Sequence, residues 1–562
     1  MNTRPTLENG CRATPMGAQT WFPPLRWLSA YSMSSLGFDA LAGFTLAAYS
    51  IPISIAYASL AGLPPQTGLY CYLFGGLGYA LLGGSRHLAV GPTSAISLIF
   101  GASLAHLAPK TPQELAGIAT MVTLMVALVF FLAWFLRLSV AVNFISESIL
   151  VGFKAGAAVA IASTQLPKLF GLAGGGDNLW ERLARFAGQM GNTNPYALGI
   201  GITAILLLAL GLRLFPGRPV ALGVVLLSLW AVPAFGLAAH GVKTVGTIAA
   251  GVPGLDLTRL RMDGVDLATF RDLIRLVFAC FVLSYVESIS AARAFALKNR
   301  EELDARQELL GLGTSNLLAG LFQGYPTAGG LSQTAVKEKA GARTQMSLVF
   351  TSLALAMVLT FFTGFIRNLP DAVLGAVVLV AVAGLVDVGE LRHLHRVSRM
   401  DFYGAMVALV GVLILGILDG VILAIIASLL MLLVRSANPY VAFLGRIPGT
   451  DRFSDVARHP DNERIPEVVA FRVEASLGYF NVEHVFREVL GYIRAQNPPI
   501  RLAVCDLSNS PYVDVAGARM LARLHDELEL AGITLRIVEA HGNQRDLLRA
   551  EGLENLVGPI DR

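Results

Sequence analysis

The sequence predicts an α-helical polytopic membrane protein followed by a small cytoplasmic α/β domain. Of 562 residues, 54% are hydrophobic and only 15% are charged, whereas soluble domains carry about 25% charged residues. Mean hydropathy is +0.61. Charge is sparse from about Ala40 to Val434 and ordinary afterwards. Glycine and proline divide the apolar part into runs long enough to span a bilayer, which takes roughly 20 residues.

These features exclude several classes. A net charge of +4, with the basic residues scattered between apolar runs, does not describe a nucleic-acid binder. Cys11, Cys71, Cys280 and Cys505 are too far apart in sequence to suggest a metal cluster or a disulfide framework. No nucleophile–base pair and no cofactor motif is evident, so neither an enzyme nor a cofactor is expected. Met1 to Trp27 is polar and proline-bearing, without the continuous apolar core of a signal peptide. Residues 1–36 are therefore expected to form a cytoplasmic N-terminal segment.

About fourteen spans are expected, starting near Phe38, Gly68, Pro92, Gly117, Ile145, Pro195, Pro219, Leu273, Glu308, Leu331, Met346, Leu369, Phe402 and Leu418. With the N-terminus inside, every second loop should be basic. The expected cytoplasmic loops hold Arg86; Arg137; Arg213 and Arg218; Arg293, Lys298, Arg300 and Arg306; Lys337, Lys339 and Arg343; and Arg392, Arg396 and Arg399. Four short outer turns carry only Lys110 among them. This pattern places both termini in the cytoplasm of a multi-pass inner-membrane protein. The basic residues around His393-Leu394-His395 read as a solvated loop, and Arg86-His87 as interface anchors.

Two interruptions stand out. The third span opens at Gly91-Pro92-Thr93-Ser94, and the tenth follows Gly324-Tyr325-Pro326-Thr327-Ala328-Gly329-Gly330. Irregular backbone is tolerated in a membrane only inside protein or around a polar cavity. Paired breaks at corresponding places in two halves of a chain point to a transport site. Seven spans separate the two, so they would meet from opposite sides of the membrane. Facing helix N-termini would offer unpaired amides and positive dipole ends to an anion.

After Ser436 the pattern alternates. Residues 468–473, 502–507 and 533–538 read as strands, and 482–495, 515–530 and 544–551 as amphipathic helices. Strands alternating with helices over roughly 100 residues indicate an α/β domain.

The chain resembles the sulfate permease (SulP) family of anion transporters. The resemblance is carried by Asp39-Ala40-Leu41-Ala42-Gly43, the stretch Ala56 to Pro65, Gly68-Leu69-Tyr70, Ser85-Arg86-His87 and Val90-Gly91-Pro92. It continues through Gly152-Phe153-Lys154-Ala155-Gly156, Gln165-Leu166, Gln307-Glu308-Leu309, Ser332-Gln333-Thr334-Ala335-Val336 and Ala340-Gly341-Ala342-Arg343-Thr344. The soluble part resembles a STAS domain at Asp506-Leu507-Ser508 and Val513-Asp514-Val515-Ala516-Gly517.

This resemblance implies a seven-plus-seven inverted repeat like that of uracil permeases. A transmembrane domain over residues 37–437 would divide into a core (spans one to four and eight to eleven) and a gate (the remainder), with the STAS domain over 438–562. Substrate would sit between spans three and ten, lined by Tyr57, Thr93, Ser94, Thr327, Ala328, Gly329, Gly330 and Ser332. A homodimer is implied as well.

Glu287 lies within an apolar span, where a carboxylate is a functional-site hypothesis by default. In the family this place is associated with a coupling proton or sodium ion, and Glu rather than Asp favours the proton. Gln333 stands where many members have Arg. Lys154, in the fifth span, either replaces that charge and meets Glu287 or snorkels to the interface. Val515 and Ala516 stand where phosphorylated STAS relatives have Ser, which argues against switching there.

The leading expectation is proton-coupled transport of a small oxyanion, sulfate first, by alternating access. Sodium-coupled bicarbonate transport, proton-coupled dicarboxylate transport and an uncoupled anion channel are the alternatives. A nucleobase permease is disfavoured by the STAS domain and the Ser332-Gln333-Thr334 motif.

Overall fold

A computed structural model describes residues 31–107, 112–138, 147–176, 178–215, 219–246, 250–255, 267–496 and 499–560. The N-terminal segment to residue 30, Lys110, Ile145, Arg218 and residues 256–266 lie outside them. The chain forms two compact units, Met1–Ser428 and Leu429–Arg562.

The first unit is helical. Its elements run α1 (Met33–Leu60), α2 (Pro65–Tyr70), a π-helical turn over Cys71–Gly75, α3 (Gly76–Leu82), β1 (Val90–Gly91), α4 (Ser94–Leu107) and α5 (Pro112–Phe135). Then come α6 (Glu147–Leu169), α7 (Leu179–Gln189), α8 (Pro195–Leu214), α9 (Val220–Ala234), α10 (Leu267–Asn299), α11 (Ala305–Leu321), β2 (Ala328–Gly329) and α12 (Leu331–Lys339). The series closes with α13 (Met346–Met357), α14 (Thr363–Ile366), α15 (Asp371–Ala383), α16 (Val388–Val397), α17 (Arg399–Leu415) and α18 (Ile417–Ala437). Among the described residues, 7 helical stretches are long and apolar enough to cross a membrane. Shorter apolar helices include Ser94–Leu104, Val220–Ala234 and Ile422–Ala437.

Small residues let these helices approach closely, as membrane packing favours. A Cβ on Gly152 would lie 1.8 Å from the Ala405 carbonyl oxygen, and one on Gly156 would lie 2.8 Å from that of Leu409. The Gly152-x-x-x-Gly156 pair is thus the seam between α6 and α17.

Two buried carboxylates tie separate segments together. Asp39 Oδ1 accepts from the amides of Arg343 (2.7 Å) and Thr344 (3.0 Å), and Oδ2 accepts from the Thr344 hydroxyl at 2.7 Å. Glu308 accepts from Tyr79 Oη at 2.7 Å and from the Ser85 amide at 2.8 Å. Each oxygen of both carboxylates accepts at least one hydrogen bond, which lowers the cost of burying such a group.

Two basic stretches differ from expectation. Lys337 belongs to α12 and is 0% exposed rather than in a loop, because that helix continues through Lys339. Residues 388–397 form the helix α16 instead of a solvated loop. Asp387 caps its start by accepting from the Glu390 amide at 2.8 Å, and Leu394 anchors it.

The second unit contains a mixed five-stranded sheet ordered β4-β3-β5-β6-β7: β3 (Val441–Arg446), β4 (Phe453–Asp455), β5 (Val468–Val473), β6 (Leu502–Asp506) and β7 (Thr534–Val538). Strands β5, β6 and β7 are parallel, while β3 is antiparallel to β4 and β5. Helices α19 (Val482–Arg494), α20 (Val515–Leu530), α21 (Gly542–Ala550) and α22 (Leu553–Val557) complete it. Phe471, Cys505 and Leu535 form the centre of its core with Val489 and Leu524; burial pushes the Cys505 thiol up. The three expected strands and three helices are present, and β3, β4 and α22 are additions. Asp514 caps α20, accepting from the Gly517 amide at 2.8 Å and from the Tyr479 amide at 2.9 Å.

Gly152→Ala is expected to force α6 and α17 apart, costing about 1–3 kcal/mol. A lowered Tm of the detergent-solubilised protein would register this; an unchanged Tm would mean the seam yields freely. Asp514→Ala should cost about 1 kcal/mol through loss of the cap. Amide hydrogen exchange at Gly517 and Tyr479 should then accelerate roughly fivefold, and unaltered exchange would contradict the capping role.

Candidate functional site

The two breaks meet. β1 and β2 pair antiparallel, Val90 opposite Gly329 and Gly91 opposite Ala328. Two-residue strands suffice because the surrounding side chains take up the remaining polar groups. Ser284 and Ser288 lie one turn apart on α10. Ser284 Oγ donates to the Thr327 carbonyl at 2.6 Å, and Ser288 Oγ accepts from the Gly329 amide at 2.7 Å. Asn316 on α11 accepts from the Thr327 amide at 2.9 Å. Thr334 Oγ1 accepts from the Ala89 amide at 3.1 Å, and Ser97 Oγ lies 2.8 Å from Tyr325 Oη.

Glycine is required at the crossing. A Cβ on Gly91 would lie 2.3 Å from the Tyr72 ring, and one on Gly329 would lie 2.6 Å from the Leu88 side chain. Gln333 fastens the same place from behind. Its amide oxygen accepts from Tyr72 Oη, while Nε2 donates to the Ala328 carbonyl at 3.3 Å. Its polar ends are therefore engaged within the protein.

Helices α4 and α12 start on either side of this pair. Thr93 caps α4, its hydroxyl 3.4 Å from the Ile96 amide. Gly330 begins α12 with no side-chain cap. The first amides of a helix lack intrahelical partners, so this start is open to an external acceptor.

The expected site residues divide into two groups. Tyr57 lies near Ser94, Tyr49 near Ser332, and Thr93 near Glu287. These pairs bring α1, α4, α10 and the start of α12 together. Ser332 is exposed, whereas Thr93 and Ser94 are each only 9% exposed. Thr327, by contrast, is 0% exposed and its hydroxyl lies 3.0 Å from that of Ser315, so it faces α11. Ala328 and Gly329 are buried in the strand pair, and Gly330 is partly open.

Glu287 owes its position to the flanking grip of Ser284 and Ser288. The residue is partly accessible, yet Oε2 is shielded and has no hydrogen-bond partner. That distinguishes it from Asp39 and Glu308. Half-buried Lys154 on α6 is near enough to act on Glu287 electrostatically.

Several contributors carry no sequence signal of their own. Ser284, Ser288, Asn316 and Tyr325 look like ordinary polar residues of membrane helices. Lys337 Nζ donates to the Leu88 carbonyl at 3.2 Å, just ahead of β1. His87, 5% exposed, sets Nε2 3.2 Å from Glu301 Oε1 and is not an interface anchor; its burial outweighs Glu301 and lowers its affinity for a proton. In the second unit, a cleft of about 840 Å³ lies at the start of α20 between Tyr512, Val515, Arg519 and Arg523. Asp514 already occupies the Gly517 amide there.

The sulfate permease family matches residues 36–408, and a STAS domain matches residues 459–562. A probable sulfate transporter of Mycobacterium tuberculosis is 32% identical over 546 residues, covering 97% of this chain and 96% of that protein. Low affinity sulfate transporter 3 of Stylosanthes hamata is 30% identical over 551 residues, covering 92% and 84%. The murine solute carrier 26 family member A9 anion transporter, in its inward-facing state, superposes with a TM-score of 0.85 at 22% identity, covering 98% of this chain and 93% of that one. The transmembrane domain of the cyanobacterial bicarbonate transporter BicA superposes at 0.61 and 23% identity, over 71% and 98%. These structures establish a shared helical membrane fold. The chain is a multi-pass membrane protein that belongs to the sulfate permease family and carries a STAS domain.

Proposed function

We propose that this protein carries a small inorganic anion across the membrane by alternating access, with sulfate as first substrate and a proton on Glu287 as coupling ion. The observation that carries this reading is an unpartnered Glu287 Oε2 beside two paired backbone breaks. A buried polar atom without a partner costs free energy unless a proton, ion or substrate completes it. The sulfate transporters among the relatives support the choice of substrate.

Transport follows from the same geometry. The uncapped start of α12 and the N-terminal end of α4 attract an anion through amides and helix dipoles. Hydroxyls of Tyr57, Ser94 and Ser332 replace part of its hydration. Neutral donors let the anion leave again. With a proton on Glu287 the local repulsion of an anion falls; with the proton released, the anion is expelled. Lys154 faces this carboxylate from α6 and stabilises its charged form. In this reading, spans one to four and eight to eleven move as a core against a gate comprising the other spans. The working unit is a homodimer in the inner membrane, with both termini cytoplasmic.

Uptake of labelled sulfate, bicarbonate and fumarate into proteoliposomes under imposed proton and sodium gradients tests the reading. Sulfate uptake should rise with an inward proton gradient and ignore sodium. Glu287→Gln should abolish the proton response while exchange of internal for external anion persists. A proton response retained in Glu287→Gln would overturn coupling through this residue, and anion flux without proton movement would make the protein a channel. Lys154→Ala should slow uptake roughly tenfold, the weight of about 1.4 kcal/mol; wild-type rates would remove it from the mechanism. Gly91→Ala should displace Tyr72 and reduce uptake at least as much, with unchanged uptake showing that the strand pair tolerates a side chain.

A further inference from the structure

Helix α16 is a ten-residue connection between apolar helices α15 and α17, so it lies at the boundary of the membrane region. Leu394 is buried beneath it. At 100° per residue, Arg392 and Arg396 project opposite Leu394, with His393 and His395 on their flanks. All four are exposed, and so is Arg399 at the start of α17. Among the described residues, Arg392, Arg396 and Arg399 form no ion pair. The neighbouring acids point elsewhere or are engaged: Asp387 caps α16, Glu390 lies on its opposite face, and half-buried Asp401 sits in the first turn of α17.

Next in sequence, α17 carries an exposed apolar stripe. Met400, Tyr403, Val407, Val410 and Ile414 are 39%, 63%, 46%, 47% and 62% exposed. Their spacing of three and four residues keeps them on one face. The stripe spans about 21 Å at 1.5 Å per residue, somewhat more than one leaflet's share of the roughly 30 Å hydrocarbon core.

We propose that α16 and the start of α17 bind an anionic phospholipid of the cytoplasmic leaflet. Its phosphate sits among Arg392, Arg396 and Arg399, and an acyl chain runs along Tyr403, Val407 and Val410. Charge opposite the buried face selects the headgroup, and the adjoining stripe distinguishes a lipid from free phosphate. The site lies on the helices that pack around the Gly152 seam, so a bound lipid holds that packing unit to the bilayer.

The test uses the full-length, delipidated protein in neutral detergent. Dioleoyl phosphatidylglycerol, dioleoyl phosphatidylcholine and inorganic phosphate are titrated separately, with thermal stability and retained lipid as readouts. Phosphatidylglycerol should bind well over tenfold tighter than phosphatidylcholine, and phosphate should have no effect. Arg396→Gln with Arg399→Gln should lose about thirtyfold in phosphatidylglycerol affinity, given roughly 1 kcal/mol per basic residue. Both positions are exposed, and Arg396→Lys with Arg399→Lys should retain the preference. Equal binding of the two lipids, an undiminished preference in the glutamine variant, or a phosphate effect equal to that of phosphatidylglycerol would each overturn the proposal.

Discussion

Inside a bilayer every backbone amide and carbonyl must find a partner within the protein, and that constraint organises the first unit. The chain leaves helix before Ser94 and before Leu331, and the groups exposed there are matched partly to each other through β1 and β2. What the strands do not satisfy is taken up by Ser284, Ser288, Asn316 and Thr334. The start of α12 has no side-chain cap. That uncapped start adjoins the strand pair.

The acidic side chains of the first unit fall into two physical situations. Asp39 and Glu308 each accept several short hydrogen bonds and join segments hundreds of residues apart in sequence. Replacing either would leave several donors unpaired. Glu287 keeps one oxygen without a partner although its Ser284 and Ser288 neighbours are fully engaged. Of these three carboxyls, Glu287 is the one with a shielded oxygen that lacks a partner.

Close approach is the second constraint. At Gly91, Gly152 and Gly329 a methyl group would collide with a neighbouring side chain or carbonyl. Two of these glycines belong to the strand crossing and the third to the α6–α17 seam. Interiors packed to this density rearrange between discrete states rather than deforming smoothly.

Much of this was legible in the sequence. Apolar runs punctuated by Gly91-Pro92 and by Pro326 to Gly330 located both breaks, because glycine and proline alter backbone chemistry wherever they occur. Short runs rich in apolar and β-branched residues located β5, β6 and β7, and an amphipathic period located α20 from Val515 to Leu530. Glu287 was visible because charge is conspicuous in an apolar run. The tertiary structure decided what depends on which neighbour a side chain meets. It turned Thr327 toward Ser315, tied Gln333 to Tyr72, buried Lys337 beside Leu88 and bonded Asp39 and Glu308 to loops distant in sequence. Local composition specifies where a helix must stop, since backbone geometry is local. It cannot specify which polar groups are saturated, since their partners come from residues remote in the chain.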